Sequence, residues 1–168
     1  MACGPKYFTY INQELPTLCR RFFGIQPIPE CTYIMGLSMG GYGAMKCAFT
    51  APQQYAGCAG FSSVAEIQAE LPQLCRWHED QAIFPHGIVP PQDDLFDLVE
   101  KFRDGTCPMP RLFLACGQQD SLYPANLRLR DTLQAMNWPL TWHEAPGDHN
   151  WFFWNDALGR AMKELLEN

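Results

Sequence analysis

An α/β fold, with a mostly parallel sheet flanked by helices, follows from three features of the 168-residue sequence. Short apolar runs of strand length alternate with stretches of helical length. Gly and Pro mark most of the junctions between them. One apolar run also passes directly into a helix through Gly36-Leu37-Ser38-Met39-Gly40-Gly41-Tyr42-Gly43, a sharp turn of the kind found at the carboxyl edge of a parallel sheet.

Phe8, Ile11, Leu15, Leu18 and Phe22 recur at spacings of three and four and predict a first amphipathic helix. Pro16 predicts a kink or a late start, and Gly24, Pro27 and Pro29 end the helix. Residues 31–37 form a short apolar run, read as a buried strand. A helix over residues 39–51 is closed by Pro52. Residues 55–61 are small and apolar and predict a second buried strand. Residues 64–77 read as helix despite Pro72, and residues 81–92, rich in Pro and Gly, as loop. Asp93 and Asp94 start a helix carrying Leu95, Phe96, Leu98, Val99 and Phe102, which Gly105 ends. Residues 111–116 and 140–145 read as the third and fourth strands, with a helix at 124–137 between them. A turn at 146–150 leads to a final helix at 151–166. The whole chain, residues 1–168, reads as one domain, and residues 63–107 as a cap-like insertion within it.

Hydrophobic residues make up 47% of the chain and charged residues 18%, which excludes a disordered chain. A net charge of −6 without any Lys/Arg cluster argues against nucleic acid as a partner. No apolar stretch reaches membrane-spanning length, and no secretory h-region follows the first residues. The eight cysteines include no Cys-x-x-Cys pair, and most sit in apolar runs, where a free thiol behaves as a small hydrophobe. These features together predict a reducing, cytoplasmic setting.

Gly36-x-Ser38-x-Gly40 between a strand and a helix points to nucleophilic chemistry. The turn projects the Ser38 hydroxyl from the sheet edge, with Gly36 and Gly40 small for close backbone passage and Gly41 and Gly43 for tight helix packing. It also leaves the Met39 N–H at a helix amino terminus, free to donate to an oxyanion. A phosphate-binding loop is disfavoured, because neither Gly-x-x-x-x-Gly-Lys-Ser/Thr nor Gly-x-Gly-x-x-Gly occurs. A serine nucleophile needs a base and the base an orienting acid, which for this turn follow in the order Ser, acid, His. Of His78, His86, His143 and His149, only His149 falls in the loop after the last strand. Asp120 lies just past the third strand. Asp148 reads as a turn residue, and Glu144 is the weaker alternative acid. No metal-ligand spacing is present, and no cofactor is expected.

These stretches resemble the esterase D-like branch of the α/β-hydrolases, which includes tributyrin esterases, S-formylglutathione hydrolases, feruloyl and acetyl-xylan esterases and mycolyl transferases. The resemblance is carried by Glu14-Leu15-Pro16, by Gly36 to Ala44, by Cys116-Gly-Gln-Gln-Asp-Ser-Leu-Tyr123 with residues 126–130, and by Gly147-Asp-His-Asn-Trp151 with Trp154. It implies a Ser38, Asp120, His149 triad with Met39 in the oxyanion hole, and a small-molecule ester or thioester as substrate. It also implies four earlier strands and a His-Gly-Gly-type loop that do not precede the first helix here. The chain is therefore expected to be the carboxyl-terminal part of such a fold, amino-terminally truncated. Two consequences are expected. A bare apolar strand edge at residues 31–37 would pair with a second copy as a homodimer. An oxyanion hole short of one donor would lose roughly 10²–10³ in rate. The expected activity is a serine carboxylesterase on short-chain acyl esters; the alternatives are an acyltransferase with the same triad or a weakly active or non-catalytic fragment.

Overall fold

A computed structural model of the chain describes residues 5–74 and 83–167. Four strands, β1 (Tyr33–Leu37), β2 (Gly57–Phe61), β3 (Arg111–Gly117) and β4 (Leu140–Ala145), pair in the order β1-β2-β3-β4, all parallel. The helices are α1 (Tyr7–Thr9), α2 (Leu15–Phe23), α3 (Met39–Thr50), α4 (Ile67–Leu74), α5 (Leu95–Glu100), α6 (Tyr123–Ala135) and α7 (Trp151–Leu166). Right-handed crossovers between successive parallel strands put their helices on one face. On that face Met45, Phe49, Val99, Phe102, Leu129 and Leu133 form the larger core. The other face is covered by α7, whose Phe153, Trp154, Ala157, Ala161 and Leu165 pack on Ala59, Phe61 and Phe113.

The sequence expectation and the structure differ in instructive places. The first helical run is interrupted by a π-helical turn, Tyr10–Glu14, just before α2. Pro16 has no N–H to donate back to the preceding turn, so the backbone widens there instead of kinking sharply. The predicted apolar face of this run is largely unburied: Leu18 and Ile11 are partly exposed, and Phe22 is 67% exposed. Residues 31–37 are neither all strand nor fully buried. Pro29–Cys31 forms a 3-10 turn, and every residue of β1 is only half-buried because, among the described residues, β1 has a single strand neighbour. Cys31 is exposed and Cys19 and Cys107 are half-buried, whereas Cys47, Cys58 and Cys116 are core residues; Cys3 and Cys75 lie outside the described residues. Burial pushes the Cys47 thiol up to about 11 and the Cys116 thiol up to about 12, so both are inert as nucleophiles. Of residues 63–107, α5 and Phe102 belong to the main core, and the Tyr42 hydroxyl of α3 donates to Asp93 O at 2.6 Å. Asp94 caps α5, its carboxylate accepting from Phe96 N and Asp97 N.

His143, inside β4, stacks on Phe113 and Phe153 with ring centroids 6.4 and 6.1 Å away. Burial, and secondarily the Arg160 cation, hold its imidazole below the usual histidine value, against the opposing pull of Asp156 and Glu144. The folded state therefore binds fewer protons here than the unfolded state. This contribution to stability is complete above the unfolded value of about 6.5 and is lost as the pH falls below it. His143→Phe is expected to flatten the decline of Tm below that pH; equal slopes for the two proteins would contradict it.

Candidate active site

Ser38 joins β1 to α3 with φ 56° and ψ −122°, a left-handed backbone that only a closely constrained turn holds on a non-glycine residue. Ser38 N donates to Phe61 O at 2.8 Å, and Ser38 O accepts from Gly41 N at 3.0 Å, so the neighbouring strand and the first turn of α3 both grip it. Gly36 is required for this: a Cβ there would stand 2.1 Å from Gly40 O and 2.3 Å from Gly40 C. Gly41 is similarly confined by the Ser63 side chain, with 2.2 Å to its Oγ. Gly40 and Gly43 are not confined; a Cβ at either meets nothing within 4 Å. Both expectations of close approach at those two positions are thus corrected, because both residues border the open apolar cavity beside α3. Met39 opens α3, where first-turn N–H groups have no intrahelical acceptor.

Asp120 follows β3 in a tight turn, its N–H donating to Gly117 O at 3.1 Å. Its carboxylate is buried and divided between two donors. Oδ1 accepts from Leu122 N at 2.9 Å, at the start of α6, and Oδ2 lies 2.9 Å from His149 Nδ1. The other imidazole nitrogen, Nε2, is 2.9 Å from Ser38 Oγ. Since the carboxylate only accepts, Nδ1 carries the proton and Nε2 is the acceptor that faces the serine hydroxyl. The structure thus brings Ser38, His149 and Asp120 into one hydrogen-bonded row across the carboxyl ends of β1, β3 and β4.

The other candidates fall away from this row. Asp148 Oδ1 accepts from His149 N at 2.7 Å, a turn contact. Glu144 accepts from Tyr123 OH and Trp142 Nε1, each at 2.8 Å, on the β4 surface. His86 is exposed, and His78 lies outside the described residues.

Three side chains with no role assigned from sequence support the row. Trp154 meets the His149 ring edge-on at 4.9 Å, and its Nε1–H donates to Ser62 Oγ at 3.0 Å. Asn126 is buried and binds Ser63 O and Leu122 O through Nδ2, at 2.8 and 2.9 Å, and Ser63 N through Oδ1, at 3.2 Å. Gln119 bonds to the loop that carries His149. Of the aromatic run 151–154, Phe153 and Trp154 pack on the sheet while Trp151 and Phe152 are exposed. Successive helix residues point about 100° apart, so four in a row cannot share one face. On the α3 side of the sheet an apolar cavity of about 570 Å³ reaches Met39 and is lined also by Phe8, Ile34, Ile67, Leu71 and Phe84.

The parallel sheet, the strained serine turn and the row behind it define the architecture of an α/β-hydrolase. Residues 2–99 match the family described as "Putative esterase", and the chain belongs to that esterase family. It is 28% identical to an acetyl esterase of Caldicellulosiruptor saccharolyticus, over 94% of this chain and 63% of that protein. Among solved structures it superposes on FphF, a fluorophosphonate-binding serine hydrolase of Staphylococcus aureus, with a TM-score of 0.89 and 31% identity, covering 100% of this chain and 66% of FphF. The S-formylglutathione hydrolase FrmB of the same organism gives a TM-score of 0.78 at 31% identity, covering 95% of this chain and 60% of FrmB. The chain thus spans a little under two-thirds of the length of these relatives. No helix among the described residues is long and apolar enough to cross a membrane.

Proposed function

We propose that this chain carries a serine carboxylesterase centre that hydrolyses short-chain acyl esters, or related thioesters, through an acyl-enzyme. The observation that carries this reading is the pair of 2.9 Å contacts linking Ser38 Oγ, His149 and Asp120. His149 Nε2 takes the Ser38 proton as Oγ attacks the acyl carbon, and Asp120 stabilises the resulting imidazolium. The Met39 N–H donates to the oxyanion. The imidazolium then protonates the leaving alcohol, or the thiol of a thioester, and water activated by His149 releases the acid. The relatives named for acetyl esters and S-formylglutathione favour a small acyl group. Residues 63–107, read as an insertion within one domain, would place Phe84 and Leu71 in the wall of the cavity beside Met39. The core thiols Cys47, Cys58 and Cys116 suit a reducing, cytoplasmic setting.

The test is hydrolysis of p-nitrophenyl acetate, butyrate and octanoate by the wild type and by Ser38→Ala. Turnover that falls with chain length and vanishes in the variant is expected; equal rates for the two proteins would refute the reading. A homodimer through the half-buried edge of β1 belongs to the same proposal, and a clean monomer on gel filtration would overturn that part of it.

A further inference from the structure

The loops bearing Asp120 and His149 are joined by more than that pair of residues. Beyond the last ladder position, Gly117 opposite Ala145, Gln118 N donates to Ala145 O at 3.0 Å and Gln119 N to Gly147 O at 2.9 Å. The reciprocal bond comes from a side chain: Gly147 N donates to Gln119 Oε1 at 2.6 Å. Gly117 makes this approach possible, since a Cβ there would lie 2.4 Å from Gly147 O. Pro146 has no N–H, so Gly147 carries the first backbone donor after β4. The clasp therefore joins the residue before the acid to the residue two before the base.

Asp120 needs no such help, because its carboxylate and backbone are held by Leu122 N and Gly117 O. The end of the His149 loop is held by α7, where Asn150 accepts from Phe152 N, Phe153 N and Trp154 N, and its start by the clasp. The bonds of His149 N to Asp148 Oδ1 and of Asn150 N to Asp148 O are internal to the loop, and the imidazole is 33% exposed. We propose that Gln119 is a positioning residue, whose side-chain carbonyl holds the His149 loop at the separation from Asp120 that the hydrogen-bonded row requires. This rests on the serine-esterase reading of the same site. Gln119 is exposed and contributes nothing to either core, so its substitution tests the clasp and not the fold.

The variants are Gln119→Met, of similar length but without the amide acceptor, and Gln119→Glu, which keeps one. Each is measured by p-nitrophenyl acetate kinetics, thermal melting and the downfield proton resonance of His149 Nδ1–H. Gln119→Met is expected to lower kcat by about ten-fold, less than the roughly 100-fold that a 1 Å misplacement costs. Its KM should stay within about two-fold of wild type, since the loss falls on the transition state. The downfield resonance should weaken in Gln119→Met, and Gln119→Glu should recover most of both signals at similar Tm. An unchanged kcat in Gln119→Met, or equal losses in the two variants, would overturn the proposal. If wild type is no faster than Ser38→Ala, the esterase reading fails and the resonance decides alone. Weakening confined to Gln119→Met then supports the clasp, and an unchanged resonance in Gln119→Met overturns it.

Discussion

Asp120→Asn is expected to lower kcat for ester hydrolysis by about 10⁴-fold without unfolding the protein. The reason lies in the two bonds that divide the Asp120 carboxylate. Leu122 N donates to Oδ1 at the start of α6, and His149 Nδ1 faces Oδ2. An amide has a single carbonyl oxygen, and the backbone N–H of Leu122 claims it, because that donor cannot change its role. The amide NH₂ then faces Nδ1 and forces it to accept, which moves the imidazole proton to Nε2. A protonated Nε2 cannot take the proton of Ser38, so the base is lost while every neighbour stays in place. The measurement is steady-state kinetics alongside a thermal melt. A kcat within ten-fold of wild type would show that the row does not operate as proposed.

Gly36→Ala is expected to be the most destabilising single-methyl change in the serine turn. The new Cβ would stand 2.1 Å from Gly40 O, a backbone atom that no side-chain rotation can clear. Relief requires moving the first turn of α3 or the end of β1, and with either movement the Ser38 hydroxyl leaves His149. A loss of about 3 kcal/mol is expected, at the upper end of the usual range for overpacking. For a chain of this size that is roughly 6–12 °C in Tm. Gly40→Ala and Gly43→Ala supply the contrast. Neither new Cβ meets an atom within 4 Å, and each adds a better helix former to α3. Melting the three variants side by side is the check, and equal Tm values for all three would contradict the packing described for the turn.

The parts of this structure legible in the sequence were those written locally. An apolar run, a glycine-flanked serine and a small-residue helix sit within residues 33–50, so the turn could be read without knowing what surrounds it. The strand alternation was legible for the same reason, and parallel pairing followed from the alternation of strands with helices. Asp120 and His149 could be named from their places after β3 and β4, although nothing in the sequence states the distance between them. What was hidden depends on which element approaches which. The letters of the motif treat Gly36, Gly40, Gly41 and Gly43 alike, yet Gly36 and Gly41 alone are confined, because they alone face the backbone of the turn and Ser63. The half-burial of β1 depends on its having one neighbour among the described residues, a property of the sheet and not of the strand. Trp154 falls within the predicted final helix, and its edge-on contact with His149 arises only because α7 begins directly after the base loop. Nothing in the sequence pointed to a contact for the Gln119 side chain, since an exposed glutamine in a loop is ordinary until Gly147 is seen beside it.

The central claim is that Ser38 is a nucleophile activated by His149, and covalent capture tests it most directly. In attack on a fluorophosphonate, a phosphorus–oxygen bond forms at Ser38 Oγ, fluoride departs and His149 receives the hydroxyl proton. Intact-mass and peptide mass spectrometry should then find one phosphonyl group per chain, on Ser38. The adduct should be absent from Ser38→Ala and form far more slowly in His149→Ala. An adduct on another residue, or labelling that proceeds equally in Ser38→Ala, would contradict the account.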